Sequence, residues 1–162
     1  MLDRQWLTQD QQFAPGRELF RCSRQFAVWA YTVSHSQLLL RARTTGTDGG
    51  RQTRIDVLFK PVEAVKTRME YRDGLVIRCA TTDERDRILA DAGLAGTNFR
   101  VFVLPTSDGI DHVVVMGVGW CEDEQEDREP SSLAFFVPAT DPTRVLPTPE
   151  PVPWSTLQME RW

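Results

Sequence analysis

Apolar and polar side chains alternate with a period of two over much of this chain, which predicts strands rather than helices. Phe26–Val33 is rich in aromatic and β-branched residues, the composition of a strand. Ser34, His35 and Ser36 read as a tight turn into a second strand, Gln37–Arg43, and the glycines and Asp48 within 44–50 mark a hairpin loop. In the next strand, Gln52–Phe59, Ile55, Val57 and Phe59 face one side while Arg54 and Asp56 face the other, as in a half-solvated antiparallel sheet. Pro61 should interrupt that strand, because proline donates no ladder hydrogen bond. Val62–Tyr71 reads as an irregular strand, and Arg72, Asp73 and Gly74 as the turn into Leu75–Ala80.

One helix is signalled clearly. Thr81 and Glu84 have the spacing of a capping box, Arg85, Ile88, Leu89 and Ala92 form one face, and Gly93 supplies a stop, so a helix is expected over Thr82–Ala92. Two more continuously apolar strands follow, Phe99–Leu104 and His112–Trp120. Glu122–Glu129 reads as a solvated acidic loop, and Leu133–Val137 as one more short strand. Within the first 25 residues, Leu2, Trp6, Leu7 and Phe13 suit a short helix ahead of Pro15 and Gly16.

The sum is a mainly β (α+β) domain over residues 1–137. Its expected architecture is a partly open antiparallel barrel or curled meander of seven to eight strands with one inserted helix; a β-sandwich is the second choice. In strand count the architecture is similar to a pleckstrin-homology-like barrel, although that fold requires no helix at 82–92. Residues 138–162 change character. They hold six of the ten prolines, which predicts an extended tail. Ser155 and Gln158, with Trp154 against Met159, have the pattern of a short terminal helix.

Composition narrows the setting more than the chemistry. The chain has 162 residues, enough for one domain with a sizeable core, and no apolar run is long enough to span a bilayer as a helix. With a polar start and three widely spaced cysteines (Cys22, Cys79 and Cys121), the expectation is a cytoplasmic protein with reduced thiols. The net charge of −4 hides a polarity, since residues 1–81 carry net +5 and residues 82–162 net −9.

Motifs for catalysis are missing. His35 between two serines lacks the third, orienting group of a triad. The cysteines with His35 and His112 show no close pair of ligands, so no metal and no cofactor are expected. The glycine-rich loop at 46–50 precedes no helix and has no phosphate-binding pattern. Asp108, Asp111 and His112 cluster at a hairpin tip and, with His35, define an alternative ligand site at a barrel mouth, where an enzyme site would also fall. Arginines 41, 43, 51, 54, 68, 72 and 78, with Lys60 and Lys66, could paint a basic face beside Trp29 and Tyr31. A pI of about 5.2 argues against nucleic acid as the partner. The leading expectation is therefore a non-catalytic domain that binds another protein, or a second copy of itself. Its contacts would be the acidic residues Glu122, Asp123, Glu124, Glu126 and Asp127 and the apolar tail residues Trp154, Leu157, Met159 and Trp162.

Overall fold

The computed structural model describes residues 2–43 and 52–133. The alternating segments form β1 (Gln5–Leu7), β2 (Glu18–Cys22), β3 (Phe26–Thr32), β4 (Gln37–Ala42), β5 (Arg54–Lys66), β6 (Glu70–Tyr71), β7 (Leu75–Cys79), β8 (Arg100–Thr106) and β9 (Gly109–Asp123), with α1 (Thr82–Asp91) between β7 and β8. All nine strands join one antiparallel sheet in the order β2-β7-β8-β9-β5-β4-β3-β6, with β1 added on β9. The fifteen-residue β9 is its spine, pairing with β5 along one side and with β8 and then β1 along the other.

Among the described residues the hydrogen-bonded path ends on β2 and β6, so the sheet is not closed. Short links at 23–25 and 72–74 nevertheless join one end of the sheet to the other, which makes it a curled, partly open barrel. Phe20 of β2 meets Phe26 of β3 edge-on across the gap, with ring centroids 6.0 Å apart. The gap is tight at Gly74, whose φ is +102° and where a Cβ would stand 2.6 Å from the Cys22 carbonyl oxygen, so only glycine fits.

The inner face carries the main core, including Phe26, Leu40, Val57, Phe59, Ile77, Phe102 and Val118. Phe59 and Phe102 pack with ring centroids 6.4 Å apart and occupy the barrel interior. Burying each such ring contributes about 1.5–3 kcal/mol. The outer face is covered twice. Ile88 and Leu89 of α1 pack on Val101, Val103 and Val114. Leu133 packs on Leu39, Leu58 and Cys121. The helix begins with the expected capping box, and Arg78 of β7 grips Glu84 with two bonds of 2.7 and 2.8 Å.

Three local expectations are corrected. The N-terminal segment is not helical: Gln5–Leu7 is a strand and Asp10–Gln12 a single 3-10 turn. β9 has a bare backbone at Gly119, and the Trp6 ring lies where that residue's Cβ would be. Pro61 does not end its strand, because β5 runs on to Lys66. Proline is tolerated there since β9 pairs with Lys60 and Val62 but not with Pro61, so no ladder bond needs its missing donor. The segment 62–71 is not one strand but the end of β5 and the two-residue β6. Leu133–Val137 extends beyond the described residues, and the tail with its terminal helix lies wholly outside them.

Candidate functional site

On the outer face of the sheet, β4 and β5 carry charged side chains that were expected to be solvated and are buried. Arg54 and Asp56 are both fully buried, as is Arg41. Leu39 and Leu58 share that face, and Leu133 covers both. The expectation of a solvated face therefore fails.

Each guanidinium has a carboxylate partner and then reaches the acidic segment. Arg41 binds Asp56 through Nε at 2.7 Å and Nη2 at 2.9 Å. Its Nη1 donates to the carbonyl oxygens of Asp127 and Glu129. Arg54 holds Asp123 through Nε at 2.7 Å, and its remaining donors reach the carbonyl oxygens of Glu126, Glu129 and Pro130 at 2.6–2.8 Å. A planar fork of five donors is the group suited to this, and its donors are almost completely used. Burying two guanidinium groups is costly, and here that cost goes into fixing the backbone of a surface loop.

The acidic run is thus not uniformly solvated. Glu122 and Asp123 are strand residues at the end of β9. Glu122 accepts from the Leu2 amide at 2.7 Å and from the Thr53 hydroxyl, with Arg24 at 3.7 Å. Burial pushes its carboxyl upward, but those bonds and the Arg24 charge outweigh burial and hold it below the usual carboxylate range. Glu124, Glu126 and Glu129 project outward, and Asp127 is half-buried. The result is an acidic loop with a fixed backbone and outward carboxylates.

Beside this loop lies a cleft of about 230 Å³ between β3, β4 and residues 128–131. Trp29, Leu39 and Leu58 give it an apolar lining, and Arg41 and Arg43 stack on the Trp29 ring, each 5.0 Å from its centroid. Gln37, only 4% exposed, also lines it, and its Nε2 has no hydrogen-bond partner among the described residues.

Among the alternative ligand residues, Asp108 and Asp111 are joined by one guanidinium, that of Arg68. Asp111 is buried and accepts from the Tyr71 hydroxyl and the Arg68 amide, both at 3.0 Å, while Asp108 takes Arg68 Nη2 at 3.0 Å. Burial raises the Tyr71 hydroxyl far above its ordinary value, with the Asp111 charge adding to the shift. His112 follows Asp111 in an extended strand, pairs across from Lys66, and is lowered by burial and then by the Lys66 charge. His35 sits in the exposed 3-10 turn before β4, its Nδ1 2.9 Å from the Ser34 hydroxyl. A cleft of about 350 Å³ opens near Asp108 where the two ends of the sheet meet, with Arg21, Arg68 and Arg72 on its walls. Each of these arginines already bonds a carboxylate, of Glu18, Asp108 with Asp111, or Glu70.

Among the described residues, which leave out Arg51, the basic side chains do not gather into one face. Arg41 and Arg54 are interior, Arg78 is held by Glu84, and Lys60 lies over the Trp6 ring. The three thiols are free, with Cys79 and Cys121 buried. Among the described residues no group of histidine, cysteine and carboxylate side chains has the arrangement of a metal site, and no helix is long and apolar enough to cross a membrane. Trp154, Leu157, Met159 and Trp162 lie outside the described residues. Sequence reasoning missed Gln37 and the interior roles of Arg41, Arg54 and Asp56. The readable signal was Leu38-Leu39-Leu40, an unbroken apolar run showing that both faces of β4 are covered. No family model, curated protein or solved structure matches the chain.

Proposed function

We propose that this domain is a non-catalytic interaction module that docks on a basic surface of another protein through its acidic loop. The observation that carries the reading is the anchoring of residues 126–130 by Arg41 and Arg54 from inside the domain. A loop held in one conformation loses little entropy on binding, so a larger share of its contact energy becomes affinity. Its outward carboxylates speed encounter with a positively charged partner. The apolar tail end, Trp154, Leu157, Met159 and Trp162, belongs to the same proposal as a second contact, in a cytoplasmic setting where the thiols stay reduced.

The test compares affinity capture by the wild-type chain, by the variant Glu126→Lys/Glu129→Lys, and by a chain lacking residues 154–162. Loss of a specific partner with the charge-reversed variant, at an unchanged melting temperature, supports the reading. Identical capture by all three chains sinks it.

A further inference from the structure

We infer that the cleft beside the loop is the docking site of this chain's own segment 134–137, with the Phe135 ring seated over Trp29, Leu39 and Leu58. So placed, the segment anchors the root of the C-terminal tail on the face that carries the acidic loop. The inference stands apart from the interaction reading above.

The place where the described chain ends carries the argument. Backbone carbonyls of residues 126–130 lie on Arg54 and Arg41, and Leu133 packs on Leu39 and Leu58. The segment thus advances along the outer face of β4 from Arg41 to Leu39, and the next residue on that face of the strand is Gln37. Leu133 is 2% exposed, and its amide donates to the Ser131 hydroxyl at 3.2 Å. Ser131, Leu39 and Leu58 all line the cleft, so residue 134 sets out from its wall. Toward β9 the face is already taken, because the Trp6 ring covers Gly119 and Lys60 lies over that ring. Toward β3 lies the open cleft of about 230 Å³.

Sequence supplies the occupant. Ala134, Phe135, Phe136 and Val137 form an unbroken apolar run ahead of Pro138. In an extended continuation Phe135 falls on the same side as Leu133, roughly 7 Å further on, which is also the step from Leu39 to Gln37 along β4. The cleft has room for one aromatic ring against its apolar lining. Gln37 adds a polar requirement, since its buried Nε2 has no hydrogen-bond partner among the described residues. Leaving such a donor unmatched is costly, and the peptide carbonyls that arrive with Phe135 offer it an acceptor. Neither the acidic stretch before Leu133 nor the proline-rich stretch after Val137 suits an apolar pocket with a single unmet donor.

The test is NMR on the full chain, labelled with ¹⁵N and at its leucine methyls. The expected result is a set of nuclear Overhauser contacts from the Phe135 ring to the methyls of Leu39 and Leu58, with the Gln37 side-chain amide shielded from solvent exchange. Phe135→Ala should shift that side-chain amide and speed exchange of the Leu133 amide by about tenfold. Phe136→Ala, on the opposite side of the extended segment, should leave both unchanged. Unmoved amide signals from β7 and β8 in both variants would show that the fold is intact.

Contacts to the cleft from the Trp154 or Trp162 ring would overturn the inference, as would contacts between differently labelled copies in a mixed sample. A Gln37 amide and a Leu133 exchange rate that ignore Phe135→Ala would overturn it too. The acidic-loop reading is tested on its own by the capture experiment with Glu126→Lys/Glu129→Lys, so the two failures are distinguishable.

Discussion

Replacing Arg41 with methionine should destabilise the domain far more than a strand-face arginine ordinarily would. Arg41 is 1% exposed and Asp56 0%, and two bonds of 2.7 and 2.9 Å join them. Arg41→Met leaves the Asp56 carboxylate buried without either bond, a loss of about 3–5 kcal/mol. Asp56→Leu strands the guanidinium instead and should cost a similar amount. The double variant Arg41→Met/Asp56→Leu removes both charges and keeps an apolar packing. Its remaining loss is the bonds to the Asp127 and Glu129 carbonyls, which sit at the loop and rehydrate, at about 1–2 kcal/mol. The two single changes should therefore be strongly non-additive, with a coupling of about 3 kcal/mol or more. Urea unfolding followed by tryptophan fluorescence measures all four proteins. A domain of this size has only about 5–15 kcal/mol in hand, so the single variants should still fold but melt much earlier. Additive losses, or single losses below about 1 kcal/mol, would mean that this pair is wet and does not anchor the loop.

Other outcomes follow from the same geometry. Arg54→Met should release the loop, raising amide hydrogen exchange across residues 124–130 by at least about tenfold while α1 keeps its protection. The Arg78 guanidinium, together with bonds from Thr81, holds the Glu84 carboxyl down to about 2. A depressed folded-state value gives stability that is complete above the ordinary value near 4.5 and is lost as pH falls through about 2, here about 3 kcal/mol. NMR titration of Glu84 should show this midpoint, and Arg78→Met should move it up toward 4. Gly74→Ala forces a Cβ against the Cys22 carbonyl at positive φ, and should cost at least about 2 kcal/mol in a thermal melt.

How legible the fold was depended on whether a signal was local. The capping box at Thr81 and Glu84, the alternation of Ile55, Val57 and Phe59, and the turn at Gly74 each act within a few residues, and each stands in the structure. The strand at Gln5–Leu7 exists because it finds β9 more than a hundred residues away, and a run of three residues carries no period of its own. Arg54 and Asp56 alternate as a solvated pair would, yet the acidic segment returns over Arg54 while Leu133 packs on the neighbouring Leu58. That return is a tertiary event. It also decided the candidate site, because an acidic run reads the same whether its backbone is free or held from below. Gln37 was not readable at all, since its unmatched donor is defined only by what fails to surround it among the described residues.

The most direct test of the central claim is the affinity of Glu126→Lys/Glu129→Lys for the partner that the wild-type chain captures, measured by calorimetry beside a melting curve. A loop that is rigid and recognised by charge predicts at least about a tenfold loss of affinity with the melting temperature unchanged. Equal affinity for both proteins would contradict it and place recognition elsewhere on the domain.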